Sequence, residues 1–176
     1  DRFLENGKDT LALKQALALL LTINRIPQLY YGTEVLMNGT KEVTDGNVRC
    51  DFPGGFAGDK HNAFTAEGRT KAENSMFNWL SKLLKWRRNN MVITKGKQIQ
   101  FIPYKGVYVI ARQWNDQTIL TILNGTSQPV TLPLDRYAEV FGNHQEAKDV
   151  ISGRKVKLGS ELQLKARDTK VIELSM

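Results

Sequence analysis

The first half of the chain shows hydrophobic positions at helical spacing. Between residues 11 and 23, apolar side chains recur every three or four residues, which is the period of an amphipathic helix. Further apolar residues widen this stripe, so we expect the helix to be covered on most sides. Asp9 or Thr10 can cap its start by accepting a hydrogen bond from a free backbone N–H, and residues 1–7 before it are polar and turn-like. The stripe consists of Leu13, Ala16, Leu17, Leu20 and Ile23.

A short apolar and aromatic segment, residues 26–34, follows this helix. Its composition is typical of a buried parallel strand of about five residues. Pro27 fits the entry of such a strand, where a missing N–H costs little, and Gly32 fits its end. In α/β proteins, ligand-binding loops emerge at the carboxyl ends of parallel strands. The pattern therefore predicts a helix, a strand and then a functional loop.

The connection over residues 35–69 is rich in Gly, Asp, Asn and Thr. A loop longer than about 15 residues in a compact protein is usually functional or disordered. Phe52, Phe56 and Phe64 favour an ordered loop, in which they either anchor the loop by packing or stack against a ligand.

A second helix is predicted over residues 71–90, because apolar residues again recur at helical spacing. Trp79 and Trp86 lie on one side of it, and we interpret them as packing anchors rather than as a binding platform. The predicted buried stripe consists of Met76, Trp79, Leu80, Leu83 and Leu84, and the predicted outward positions are Lys82, Lys85, Arg87 and Arg88.

Near residue 95 the hydrophobic pattern changes from helical to alternating. Short alternating segments follow, separated by turn dipeptides such as Asn115-Asp116 and Ser152-Gly153. About eight strands at this spacing are typical of an antiparallel β-sandwich. The fold class is therefore α/β plus all-β, with one domain over residues 1–92 and a second over residues 93–176. The predicted strands cover residues 98–102, 107–114, 118–123, 130–132, 149–151, 155–158, 161–164 and 169–174.

The formal net charge of +7 is carried by the second half of the chain. Residues 1–70 hold 8 Lys and Arg against 9 Asp and Glu, whereas residues 71–176 hold 17 against 9. Most of these cations are scattered between predicted strands, where they protect strand edges and increase solubility. The compact cluster Lys85-Trp86-Arg87-Arg88 lies at a predicted helix end and complements the helix dipole. We therefore expect no nucleic-acid binding, and no apolar run is long enough for a membrane span.

Few residues suggest metal or nucleophilic chemistry. Cys50 is the single cysteine, so the chain has no intramolecular disulfide. His61 and His144 have no Cys, His or carboxylate at ligand spacing, so we expect no metal site. The sequence also contains no phosphate-binding glycine loop and no Ser-His-Asp or Cys-His constellation, and we expect no cofactor. No basic-then-apolar signal segment opens the chain.

Three motifs carry a resemblance to a known family. Residues 26–34, Ile-Pro-Gln-Leu-Tyr-Tyr-Gly-Thr-Glu, resemble the Pro-x-x-Tyr-Tyr-Gly-x-Glu signature that closes the barrel of the α-amylase family of glycoside hydrolases. Arg2-Phe3 is similar to the Arg that follows the His-Asp-x-x-Arg motif of the seventh barrel strand. Residues 50–56, Cys-Asp-Phe-Pro-Gly-Gly-Phe, resemble the neopullulanase and cyclomaltodextrinase-like enzymes of bacterial starch utilisation. The resemblance implies a C-terminal fragment of a (β/α)8 barrel, residues 1–92, followed by a β-sandwich.

The resemblance also implies an activity for the parent enzyme, namely hydrolysis of α-glucosidic bonds in starch-derived oligosaccharides with retention of configuration. Glycoside hydrolysis needs two carboxylates flanking the bond. In the family these carboxylates and a third Asp lie on strands that have no counterpart in this sequence, the third in the His-Asp pair upstream of Arg2. No residue is therefore predicted to be catalytic, and the chain alone is predicted to be inactive. A non-catalytic carbohydrate-binding or assembly module, based on the sandwich, is the alternative.

The long loop can still supply substrate contacts. Asp45 and Arg49 fit an Asp-x-x-x-Arg arrangement that contacts glucose units in similar enzymes, and charge-assisted hydrogen bonds to sugar hydroxyls are strong. A surface salt bridge in a turn is the alternative reading of this pair. Asp51 and Phe56 belong to a loop in which similar enzymes usually have Trp at the aromatic position, so Phe56 is a weaker candidate for stacking on a sugar.

The two remaining candidate residues lie in the tyrosine motif. Tyr31 either packs in the barrel interior, which we favour, or lies beneath the sugar. Glu34 is expected to orient the site or to pair with a neighbouring Arg.

The expected partner is an α-glucan oligosaccharide, bound through the parent enzyme, with no nucleic acid and no membrane. We expect the parent in the periplasm or outside the cell, with the cytoplasm as the alternative. The chain by itself is expected to be marginally stable or to self-associate through its exposed barrel edge. These residues do not determine the choice among starch, pullulan and cyclic dextrins.

Overall fold

The computed structural model describes residues 1–4 and 9–174. The turn predicted over residues 1–7 therefore lies partly outside the described residues. Within the described ranges the chain forms four α-helices, eight β-strands and three short 3-10 helices. No helix in this part of the chain is both long and apolar enough to cross a membrane.

Contacts group the chain into two compact units, which we call unit 1 and unit 2. Unit 1 consists of residues 1–13 and 27–81, and unit 2 consists of residues 14–26 and 82–176. All strands of the predicted sandwich belong to unit 2, together with parts of both long helices. The domain border expected after residue 92 stays a prediction.

Helix α1, Thr10–Thr22, lies within one residue of its predicted bounds at each end. Asp9 caps it, because the Asp9 Oδ1 accepts a hydrogen bond of 2.7 Å from the backbone N–H of Ala12. Leu13 and Leu17 of the predicted stripe are buried, whereas Ala16, Leu20 and Ile23 are half-buried.

Helix α2, Lys71–Arg88, starts with a capping box. The Glu73 Oε2 accepts from the Thr70 N–H at 2.7 Å, and the Thr70 Oγ1 accepts from the Glu73 N–H at 3.3 Å. Met76, Leu80 and Leu83 are buried as predicted, but Leu84 is exposed. Arg87 was expected to face outward and is instead half-buried, because its Nε donates to the carbonyl of Leu21 at 2.8 Å.

The strand predicted within residues 26–34 is absent, and this prediction is wrong. Residues 26–30 have no regular secondary structure, and a 3-10 helix, Thr33–Val35, follows Gly32. A parallel strand needs neighbouring strands for its N–H and C=O groups, and no segment among residues 1–4 and 9–174 pairs with this one. Gly32 does end the segment, since its φ of 79° is in the left-handed region and a Cβ would clash with the side chain of Met37.

Unit 2 contains the antiparallel sheets that the alternating pattern predicted. A six-stranded sheet has the order β1-β2-β3-β8-β5-β6, and a two-stranded sheet pairs β4 with β7. All pairings are antiparallel. The strands are β1 Lys97–Gln100, β2 Val107–Trp114, β3 Gln117–Asn124, β4 Val130–Pro133, β5 Glu146–Asp149, β6 Lys155–Lys157, β7 Glu161–Leu164 and β8 Thr169–Leu174.

Strand β5 lies three residues before its predicted position over residues 149–151. The Asp149 Oδ1 accepts hydrogen bonds from the N–H and the hydroxyl of Ser152, both at 2.7 Å. This side-chain turn ends the strand at Asp149, although Val150 and Ile151 are both β-branched and the Val150 N–H still donates to the carbonyl of Val171 at 2.9 Å.

The core of unit 2 lies between the two sheets. Val109 and Ile122, which are opposite each other in β2 and β3, pack in one cluster with Leu132 of β4 and Leu164 of β7. Tyr137, beside the short helix α4, closes the cluster. The sequence pattern had not predicted α4, Ala138–Phe141, or α3, Met91–Lys95.

The opposite face of the large sheet is covered by the end of α1. The Thr121 hydroxyl donates to the Thr22 hydroxyl at 2.8 Å, and Arg112 donates to the carbonyl of Thr22 at 2.9 Å. Strand β3 is therefore buried on both faces, which explains its nearly continuous apolar sequence.

Candidate functional site

Arg2 fixes the base of the long loop in unit 1. It is only 5% exposed, and its Nε and Nη1 donate to the carbonyls of Val48 at 3.0 Å and Tyr31 at 2.7 Å. The guanidinium also lies over the rings of Tyr30 and Tyr31, 4.6 and 4.8 Å from their centroids. A planar cation that binds carbonyls along its edge and aromatic rings on its faces holds these segments in one arrangement.

Tyr31 stands between this arginine and the following part of the loop. Its hydroxyl donates to the carbonyl of Cys50 at 2.8 Å, and its ring lies 4.7 Å from that of Tyr30. Burial and the neighbouring Tyr30 raise the pKa of the Tyr31 phenol, while Arg2 opposes this shift. The side chain is still 40% exposed, so one part of the ring packs against its neighbours and the rest is accessible to solvent.

Asp45 and Arg49 form the exposed charged pair of the loop. The Asp45 Oδ2 lies 4.0 Å from the Arg49 Nη2, and the Asp45 Oδ1 lies 4.0 Å from the Lys41 Nζ. The 3-10 helix Asn47–Arg49 sets this spacing. Pairs this long and this exposed contribute little to stability, so both charges remain accessible to a ligand.

Asp51 and Phe56 are both exposed, and Phe56 presents 67% of its surface. The Phe56 N–H donates to the Asp59 Oδ2 at 2.9 Å, which closes a turn behind the ring. Phe52 and Phe64 pack on each other with centroids 4.5 Å apart and anchor the same loop. Phe52 and Phe64 therefore anchor the loop by packing, whereas the ring of Phe56 remains exposed to solvent.

Glu34 is half-buried in the 3-10 helix after the tyrosines. Its carboxylate has no hydrogen bond or ion pair with any described residue, so the expected pairing with an Arg is absent there. Arg2 instead donates to the carbonyls of both Tyr31 and Val48, and Tyr31 donates to the carbonyl of Cys50. These bonds hold Tyr31 beside the segment that contains Arg49 and Asp51.

Sequence reasoning missed two features of this loop. It noted Arg2 only for its resemblance and did not assign it the role of anchor, because its partners Tyr31 and Val48 lie 29 and 46 residues away in the sequence. It also treated His61 as isolated, whereas the His61 Nε2 lies 3.2 Å from the Glu73 Oε2 in the capping box. The two residues are twelve apart in sequence, so no local spacing indicated this contact.

The chain is similar to known proteins over nearly its whole length. Residues 98–173 match the family described as cyclo-malto-dextrinase C-terminal domain. The cyclomaltodextrin glucanotransferase of Geobacillus stearothermophilus is 27% identical, in an alignment that covers 96% of this chain and 21% of that protein. An α-amylase of Niallia circulans is 28% identical, with coverage of 91% and 27%.

The chain thus resembles α-amylases and cyclomaltodextrin glucanotransferases over most of its length. Among solved structures, the α-amylase from Geobacillus thermoleovorans, complexed with acarbose, has a TM-score of 0.71 at 24% identity and covers 94% of this chain and 33% of that chain. The chain thus spans about a fifth to a quarter of the length of these curated relatives. The predicted resemblance to the α-amylase family is confirmed, and residues 98–173 of the sandwich match a C-terminal domain of such enzymes. The narrower likeness to neopullulanases stays a prediction.

Proposed function

We propose that this chain is part of a retaining α-glucan hydrolase of neopullulanase or cyclomaltodextrinase type, acting on starch-derived oligosaccharides. In this proposal residues 1–92 form the last portion of the (β/α)8 barrel. The structural similarity to an α-amylase supports this assignment, because it extends over 94% of the chain and therefore includes most of unit 1. The parent enzyme is placed in the periplasm or outside the cell.

The observation that carries the proposal is an exposed, oppositely charged pair on a loop whose base is fixed by a buried arginine. Asp45 can accept hydrogen bonds from sugar hydroxyls, and Arg49 can donate to them. The 3-10 helix Asn47–Arg49 begins two residues after Asp45 and keeps the backbone positions of the two residues close together.

The other candidate residues complete a wall for a row of glucose units. Phe56 offers an open ring face, and the apolar face of a pyranose can pack against such a ring. Tyr31 and Asp51 border the same segment, and Glu34 adds a carboxylate at its start. This wall binds and orients the glucan, whereas the reacting carboxylates are supplied by other parts of the parent enzyme. We therefore propose that the chain alone does not hydrolyse glucans.

The test is maltotriose binding by the full chain, followed residue by residue with NMR. The double variant D45A/R49A should bind at least about tenfold more weakly, because each charge-assisted hydrogen bond is worth about 1.5–3 kcal/mol. The matched control is E42A/K60A, which removes one exposed acid and one exposed base from the same loop. Binding that is unchanged in D45A/R49A would refute the loop as a substrate wall, as would perturbations that avoid residues 45–56.

A further inference from the structure

A cavity of about 440 Å³ opens in unit 2 beside the end of α2 and the turn between β2 and β3. Small-molecule sites typically enclose about 300–1,000 Å³, so the volume is sufficient for a sugar unit. None of the residues singled out in the long loop contributes to it. Its polar lining consists of Asn89, Asn90, Asp116, Gln117, Thr118 and Glu173.

Glu173 is the carboxylate that the surrounding structure holds in place. Its Oε1 accepts hydrogen bonds from the Trp86 Nε1 at 2.7 Å and from the Asn90 Nδ2 at 3.3 Å. Asn90 is itself fixed, since its Oδ1 accepts from the N–H of Ile93 at 3.2 Å. Both donors to Glu173 are neutral, and its second oxygen accepts no hydrogen bond from the described residues. The carboxylate is therefore oriented and keeps an oxygen available for a ligand.

Three further side chains of the lining are available for a ligand. Asn89, Asp116 and Gln117 make no side-chain hydrogen bond within the described part of the chain. A two-residue turn positions two of them, because Asn115 adopts a φ of 51° and Trp114 pairs with Gln117 across the hairpin. Two amides and a carboxylate thus converge on one cavity, on positions that the backbone fixes.

This set of groups matches a neutral polyhydroxylated ligand. Amides both donate and accept, carboxylates accept from hydroxyls, and the exposed Met91 offers apolar contact for the C–H face of a sugar ring. A calcium ion would need about six to eight oxygen ligands. No three His, Cys, Asp or Glu side chains among residues 1–4 and 9–174 come together in a way that could hold a metal ion.

We propose that this cavity is a non-catalytic binding site for a neutral sugar unit. The Glu173 Oε2 and the Asp116 carboxylate accept hydrogen bonds from its hydroxyls, and the amides of Asn89 and Gln117 donate to it. The inference uses residues of unit 2 only and does not rest on the proposed role of the long loop. Asn89 and Asn90 precede residue 93, so a sandwich cut at that border would lack part of the site.

Two variants remove the proposed ligand contacts while they preserve the fold. N89A/Q117A removes two amides without breaking a hydrogen bond between described residues. E173Q keeps an oxygen that can accept from Trp86 and Asn90 while it removes the charge. The matched control is Q128A/N143A, which removes two exposed amides elsewhere in unit 2.

The probe is maltotriose, titrated into the full chain and followed by NMR. We expect shifts at residues 89–91, 116–118 and 173 and at the indole N–H of Trp86, with binding about tenfold weaker in N89A/Q117A and unchanged in the control. These shifts should persist in D45A/R49A. Shifts confined to residues 31–56 would overturn this site while supporting the loop. The cavity would be a cation site instead if its shifts appeared with calcium chloride and not with maltotriose, and if E173Q abolished them.

Discussion

Two buried arginines are held by backbone carbonyls, with no ion pair to a carboxylate among the described residues. Arg112 is 1% exposed and donates to the carbonyls of Thr22 at 2.9 Å and Gly96 at 2.7 Å. It meets the C-terminus of α1, where the free carbonyls carry partial negative charge. Burial lowers the pKa of Arg112, and the nearby Arg87 lowers it further. Arg2 is held in the same way, by carbonyls and by aromatic faces.

Replacing Arg2 should destabilise the protein strongly. In R2A the carbonyls of Val48 and Tyr31 lose a charged donor and the tyrosine rings lose their cation, so we expect the free energy of unfolding to fall by about 2–4 kcal/mol. R2K should recover only part of this loss, because an ammonium cannot reproduce the fork of donors. Urea denaturation followed by circular dichroism measures the effect.

The control for this prediction is R154A, which removes an exposed arginine in a turn of unit 2. It should change the free energy of unfolding by no more than about 0.5 kcal/mol. An R2A variant as stable as R154A would contradict the role given to Arg2 as an anchor.

At the scale of elements, side chains at the ends decide where helices and strands begin and stop. The capping box of Thr70 and Glu73 starts α2, and the turn around Asp149 ends β5. In the hairpin of β5 and β6, the Glu146 Oε2 and the Lys155 Nζ form an ion pair at 2.7 Å. This pair is exposed on the sheet edge, where such charges also discourage pairing with other strands.

The ion pair predicts a pH dependence with a definite sign. Lys155 lowers the pKa of Glu146 from 4.5, and Glu146 raises the pKa of Lys155 from 10.5. The stabilisation by Glu146 is therefore present above its ordinary pKa and is lost as the pH falls through the lowered value. The stabilisation by Lys155 is present below its ordinary pKa and is lost as the pH rises through the raised value.

K155M should accordingly lose less stability than the wild type when the pH falls from about 5 to about 3 at low salt. Thermal unfolding at a series of pH values measures the difference, which should be small because the pair is exposed. K97M, which removes an exposed lysine of strand β1 opposite the neutral Gln113, is the matched control and should keep the wild-type profile. Equal profiles for K155M and the wild type would contradict the prediction.

For the whole molecule, unit 2 depends on α1 as well as on its own strands. The Gln15 Nε2 donates to the carbonyl of Asn124 at 2.7 Å, and the N–H of Asn24 donates to the Gln98 Oε1 at 2.7 Å. Together with the contacts of Arg112 and Thr121 to Thr22, these bonds join Gln15, the end of α1 and Asn24 just after it to the large sheet. The sheet is therefore not covered on both faces without residues 14–26.

A chain of residues 93–176 alone should consequently be less stable than the full chain, with a lower thermal midpoint and stronger binding of a dye for apolar surface. R112M provides an internal check. In the full chain it removes a donor to Thr22 and should destabilise unit 2 by about 2–3 kcal/mol. In the isolated segment that partner is missing, so R112M should have a smaller effect. Equal effects in the two contexts would refute the dependence on α1.

The sequence by itself determined the elements whose pattern is local. The bounds of β2, β7 and β8 follow from alternation and turn residues, and α1 and α2 follow from helical spacing and caps. The resemblance to α-amylase-family enzymes follows from short motifs. The spacing of Asp45 and Arg49 likewise indicated their contact. Each of these depends on residues close together in the chain, where propensity and side-chain caps act directly.

Only the tertiary structure decided features that need distant partners. Residues 26–30 have the composition of a buried strand but form none, because no described segment supplies a ladder for them. Arg2 and Arg112 became anchors because carbonyls far along the chain surround them, and the cavity at Glu173 required α2, the β2–β3 turn and β8 to meet. The hydrogen-bond partner of a buried polar group is set by the tertiary fold, and a local window of sequence does not contain the identity of that partner.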